Sequence, residues 1–93
     1  VERLINIGFG NIVNSSKITA VVNPEAAPVK RLVQSVKGTS HLIDATQGRK
    51  TKAVIITSDD IIILSALQPE TIGRRFAEVY QVTERRTSAE DHE

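Results

Sequence analysis

The stretch Ala53-Val54-Ile55-Ile56-Thr57-Ser58-Asp59-Asp60-Ile61-Ile62-Ile63-Leu64-Ser65-Ala66 decides how this chain folds. Two short apolar runs flank Ser58-Asp59-Asp60, a polar set that favours a tight turn. Branched aliphatic residues dominate both runs, so they read as strands, from Ala53 to Thr57 and from Ile61 to Ala66. Neither run alternates apolar with polar residues, and strands of that kind are covered on both faces. One amphipathic helix covers one face only. The other face needs a further layer, most economically a second subunit.

Working outward, Leu4 to Ile7 reads as a strand punctuated by Gly8-Phe9-Gly10, and Asn11 to Val13 resumes an extended run. Asn14 to Lys17 is a polar turn, and Ile18 to Val22 is a β-branched strand. This order predicts a hairpin turning at residues 14–17. Asn23-Pro24 pairs a cap residue with an N1 proline, but Pro28 is tolerated only near a first turn. The helix is therefore expected from about Glu25 or Ala27 to Lys37. Ala26, Val29, Leu32, Val33 and Val36 form its apolar stripe, and Gly38 stands where a left-handed cap would sit. His41 to Ala45 reads as a short strand, followed by Thr46 to Lys50, a turn with a basic tip.

Pro69-Glu70 opens a second helix with Ile72, Phe76, Val79 and Tyr80 on its apolar face. The chain after Thr83 is charged and without period, as expected of a disordered tail. The expected class is α+β: a small mixed or antiparallel sheet with one main helix and a C-terminal helix. Residues 1–80 form the single domain and residues 81–93 the tail.

Composition narrows the chemistry. The 93 residues include no Cys, Met or Trp and only three aromatics, Phe9, Phe76 and Tyr80. A chain this short buries roughly 60–65% of its unfolded surface, so its core is marginal and self-assembly would reinforce it. Disulfides and thiolate chemistry are excluded. His41 and His92 have no cysteines or patterned carboxylates beside them, so neither a metal nor a cofactor is expected. The longest apolar run, Ile61 to Leu64, is far too short to span a membrane. Val1-Glu2-Arg3 does not open a signal peptide, which leaves the cytoplasm as the expected location.

The net charge of +1 conceals a split. Residues 17–52 carry +5, whereas residues 53–93 carry −4. A basic middle points to an anionic partner, although a solvated face would give the same count.

No catalytic constellation emerges. Gly8-Phe9-Gly10 lacks the third glycine of a dinucleotide fingerprint, since position 13 is Val13. It reads instead as a structural turn or close-packing point where Phe9 could anchor a contact. Ser15, Ser16, Ser58 and Ser65 lie in no nucleophile elbow. Asp44 follows an apolar strand, where such a residue more often bonds turn amides than catalyses. Asp59 and Asp60 are adjacent in a turn, which is poor geometry for acid–base work. No small-molecule substrate is therefore expected.

The basic residues carry more. Arg49, Lys50 and Lys52 lie at or beside one turn, Lys17 at another, and Lys30 and Arg31 on a helix face. Cations at loop tips and on helix faces reach phosphates without distorting a fold. Aromatic platforms that grip single strands are lacking, so duplex backbone contact is favoured over single-stranded RNA. Repeated in an assembly, a weak patch becomes a continuous track. An oligomeric scaffold for an acidic protein and an RNA-binding ring are the alternatives.

Four blocks in order also resemble one family: residues 6–13 (Asn6-Ile7-Gly8-Phe9-Gly10-Asn11-Ile12-Val13), 23–31 (from Asn23-Pro24-Glu25 to Lys30-Arg31), 42–51 (from Leu42-Ile43-Asp44-Ala45-Thr46 to Arg49-Lys50-Thr51) and 63–71 (from Ile63-Leu64-Ser65 to Pro69-Glu70-Thr71). Together they look like the RemA family of bacterial extracellular-matrix regulatory proteins, over roughly residues 3–76. The resemblance implies a non-enzymatic, DNA-binding transcriptional regulator whose protomers assemble into rings. It implies nucleoid association and activation of biofilm-matrix genes. It places the important basic positions at Lys17, Arg49 and Lys50. The family often has Arg at positions 17 and 50. Lysine there keeps the charge but loses the two-pronged geometry.

Overall fold

In a computed structural model of the chain, the structure describes residues 3–78. The expected tail, and Val79 and Tyr80 of the second helix, lie outside the described residues.

Among the described residues, six strands form two sheets. β1 (Leu4–Asn6) and β2 (Ile12–Asn14) pair antiparallel as a two-stranded ribbon. β3 (Ile18–Val22), β4 (Leu42–Asp44), β5 (Ala53–Thr57) and β6 (Ile62–Ser65) make a four-stranded sheet in the order β3-β5-β6-β4. That sheet is mixed, because β4 runs parallel to β6 while the other pairs are antiparallel. Helix α1 spans Ala27–Val36, and α2 begins at residue 69 and reaches residue 78, the last one described. The α+β class and the mixed sheet stand as expected, with a second sheet added.

The deciding stretch folds as its sequence requires. β5 and β6 form a hairpin closed through Ser58, Asp59 and Asp60, with Asp60 left-handed at φ 62°. A three-residue loop ending in a left-handed residue is a common hairpin connection. The Thr57 amide donates to the Ile61 carbonyl at 3.1 Å, and the Thr57 hydroxyl bonds both backbone groups of Ile61. Ala53, Val54 and Ile55 are all 0% exposed, although successive residues face opposite sides of the sheet.

The chain itself thus covers Ala53, Val54 and Ile55 on both faces of β5, so the further layer expected there, most economically a second subunit, is not needed to bury them. On one side, Ile5 and Ile7 from the ribbon and Ile72 from α2 pack with Ala53, Ile55 and Ile63. On the other side lies α1, whose residues Val29, Leu32, Val33 and Val36 are all only half-buried. The layer unseen in the sequence is the ribbon. It is fastened by Ser65, whose buried hydroxyl donates to the Ile7 carbonyl at 2.8 Å and accepts from the Leu67 amide.

A second correction concerns the first turn. β1 does not form a hairpin with β3 about residues 14–17. It turns back at Gly8-Phe9-Gly10 and pairs with β2, and β3 joins β5 in the other sheet. The four residues from Asn14 to Lys17 are still a turn. Ser15–Lys17 form one short 3-10 turn, with the Asn14 side chain accepting from the Ser16 amide. That turn redirects the chain between sheets.

Helix α1 starts at Ala27, the later of the two expected positions. A helix begun at Pro24 would set the Pro28 ring against the Pro24 carbonyl. Asn23 is therefore not the cap. Its side chain accepts from the Glu25 amide at 2.8 Å in a separate turn, and Ala26 caps α1 without a side-chain bond. Gly38 follows the helix at φ 81°, as expected of a residue just past a helix end.

Candidate nucleic-acid interface

The basic turn is built by the sheet. β4 ends at Asp44, whose Oδ1 accepts from the Thr46 hydroxyl at 2.5 Å and from the Thr46 amide at 2.9 Å. These bonds, the hydroxyl's first, hold the Asp44 carboxyl below its ordinary value of 3.8. Thr46 is itself buried. The Arg49 amide then donates to the Thr46 carbonyl at 3.0 Å, closing a turn with Gln47 at φ 56° and Gly48 at φ 78°. Two successive positive φ angles mark a type I′ geometry. Arg49 and Lys50 follow, both exposed. The Lys52 amide bonds the Ser65 carbonyl at 2.9 Å, so the chain re-enters the sheet at once.

This anchoring ties the Arg49–Lys52 segment to rigid strands at both ends. Among the described residues, Arg49, Lys50 and Lys52 are exposed and form no ion pair. Lys50 and Lys52 share an open cleft of about 220 Å³ with Glu25 and Glu70, near the starts of both helices. Lys30 borders a neighbouring groove with Thr51 and Val54, and its ammonium lies 3.5 Å from Glu25. Arg31 is exposed beside it on α1.

Lys17 is not part of this group. Ile18 is paired with Thr57, at the far end of β5 from Lys52. The five residue steps between Thr57 and Lys52 put the two ends roughly 17 Å apart. Lys17 meets Asp59 instead, at 3.9 Å, with both side chains more than half exposed. Within one chain, therefore, Arg49, Lys50 and Lys52 are brought together, Lys30 flanks them, Arg31 is exposed on the same helix as Lys30, and Lys17 stands apart.

Sequence reasoning missed one neighbour of the patch. The Arg49 guanidinium carbon lies over the Phe9 ring, 5.7 Å from its centroid. The isolated Gly8-Phe9-Gly10 pattern signalled a contact there but not its partner. Among the described residues, no group of three or more His, Asp or Glu side chains is placed to hold a metal, and no helix is long and apolar enough to cross a membrane.

Comparison with known proteins places the chain in a family. The family described as extracellular matrix regulatory protein A-like matches residues 4–76. A protein of Heliobacterium modesticaldum, named as regulatory, is 59% identical over 75 residues, covering 81% of this chain and 82% of its own length. One from a Thermoanaerobacter species is 53% identical over 91 residues, covering 98% of this chain and 94% of its own. A third, from Brevibacillus brevis, is 58% identical over 73 residues, covering 78% and 85% respectively. The last two are also named as regulatory.

Proposed function

Because the chain belongs to the RemA-like family of regulatory proteins, we propose that it is a transcriptional regulator that binds duplex DNA as a homo-oligomer. The observation that carries this reading is the Arg49–Lys52 segment: three cations, held on sheet-anchored backbone, without carboxylate partners among the described residues. Cations so displayed gain by neutralising phosphates and releasing condensed counterions. Lys30 and Arg31 widen the patch, although Glu25 competes for Lys30. Lys17 contributes from the far end of the sheet, and reaching one duplex from both ends favours repetition of the chain in a ring.

Self-association has its own support. Leu4 and Ile12 share the outward face of the ribbon, at 63% and 58% exposure, and Ile43 on edge strand β4 is 48% exposed. Ile12 and Ile43 border one apolar groove. Clustered exposed aliphatic residues mark an interaction surface. In this reading the protein works on the cytoplasmic nucleoid and, in keeping with the family description, acts on extracellular-matrix genes.

The test is a gel shift with wild type and the Arg49→Ala, Lys50→Ala double variant. The variant should lose duplex binding while keeping its assembly mass by light scattering. Retained binding would refute the assignment, and a dissolved assembly would make these residues structural. Chromatin immunoprecipitation would then name the regulated genes.

A further inference from the structure

We infer that Phe9 is a positioning residue for Arg49, holding the guanidinium over its ring so that its N–H edge is presented to a DNA phosphate. The inference rests on the DNA-binding reading above and adds the tip of the β1–β2 ribbon to the interface.

Phe9 occupies a position that ordinarily rejects it. The Asn11 amide donates to the Gly8 carbonyl at 2.9 Å, closing a turn whose central residues, Phe9 and Gly10, have φ of 52° and 77°. The first central position of such a turn favours Asn, Asp or Gly, because a bulky side chain is strained at positive φ. The strain is enforced from several sides. The Ile7 amide donates to the Asn11 carbonyl, the Gly8 amide to Asn6 Oδ1, and Asn11 Nδ2 to the Gly8 carbonyl. Core packing does not account for the phenylalanine, since Phe9 is 49% exposed. What its ring does contact is the cation at the end of a second turn of the same kind.

The two turns come from distant parts of the sequence, and each is fastened to the four-stranded sheet, one through Ser65 and Ile7, the other through Asp44 and Thr46. Their tips are therefore held in a fixed relation. A guanidinium attracted through its face keeps its five N–H donors in plane for oxygen acceptors. Phosphate recognition by Arg uses that edge. A side chain already restricted over a ring loses less freedom on binding than one that is free. The arrangement suits Arg49 particularly, since the neighbouring Lys50 offers only a point charge.

The test uses the full chain, a fluorescent duplex of about 30 base pairs, and anisotropy at low salt. Phe9→Gly removes the ring while relieving the positive φ, so a purely structural Phe9 would be replaced without loss. The variant should keep or raise Tm, keep its assembly mass, and weaken duplex binding about threefold. In an Arg49→Gln background the same change should have no further effect on binding. In DNA-free protein, NMR should show the Arg49 side-chain resonances moving when the ring is removed. A binding wild type whose affinity ignores Phe9, an equal loss in the Arg49→Gln background, or unmoved Arg49 resonances would each overturn this inference alone. A change in assembly mass would make Phe9 a subunit contact and overturn it too. A wild type that binds no duplex would overturn both this inference and the DNA-binding reading.

Discussion

The carboxylate of Asp44 is bonded twice by Thr46, through its hydroxyl and its amide, at the point where β4 gives way to the basic turn. The strand-end aspartate thus bonds a turn amide, as its position predicts, and braces the loop that carries Arg49 and Lys50. Because these bonds favour the ionised form, the folded state holds this proton more weakly than the unfolded chain does. The stabilisation is complete above the unfolded value and is lost as pH falls through the lowered folded value. Thermal melts should therefore separate wild type from Asp44→Ala near neutral pH. The two should converge in acid, once the pH has fallen through the lowered folded value. Curves that stay equally separated at every pH would assign the difference to packing.

Ser65 predicts a larger loss. Its buried hydroxyl satisfies both the Ile7 carbonyl and the Leu67 amide. Ser65→Ala leaves those groups short of a partner in the layer joining the ribbon to the sheet. The cost should be about 1–3 kcal/mol, or several degrees in Tm. Differential scanning calorimetry checks it, and an unchanged Tm would mean that the ribbon is fastened by apolar contact alone.

In the DNA-binding reading, Asp59 opposes Lys17 without supporting the fold. Its ion pair with Lys17 is long and exposed, and such pairs contribute little. Asp59→Asn should leave Tm unchanged while raising duplex affinity about twofold at low salt, since it removes a negative charge beside a cation proposed to meet phosphate. Affinity that does not change, measured by anisotropy, would take Lys17 out of the interface.

Leu4 and Ile12 test the assembly. Both face outward on the ribbon, away from Ile5 and Val13, so replacing them with lysine removes no core residue. Leu4→Lys with Ile12→Lys should lower the assembly mass in light scattering and leave the circular dichroism spectrum intact. An unchanged mass would place the subunit contact elsewhere, with Ile43 and the half-buried stripe of α1 as the remaining aliphatic surfaces.

The parts of the fold legible in the sequence are those governed by local chemistry. β5, the polar turn after it, the extent of α1 and the special backbone at Gly38 follow from side-chain type and spacing. The β5–β6 hairpin was legible too; what was not legible is the pairing of the other strands. Nothing local distinguishes β1 folding back on β2 from β1 pairing with β3, and the choice is made by Ile5 and Ile7 reaching Ile55 and Ile72 across the chain. The same long-range packing supplies the cover for β5 and β6 that strand composition demanded but could not locate. At the interface, Arg49, Lys50 and Lys52 were visible as a charge cluster. Their separation from Lys17, and the ring beneath Arg49, depend on which ends of which strands meet.

The most direct measurement of the central claim is duplex affinity as a function of salt, from about 50 to 200 mM. If Arg49, Lys50 and Lys52 each neutralise a phosphate, log affinity should fall linearly with log salt, with a slope of about −2.7 for each engaged subunit. Arg49→Ala with Lys50→Ala should flatten that slope towards what Lys52 and the flanking cations retain. Affinity that ignores salt, or a slope that the double change leaves untouched, would contradict the account.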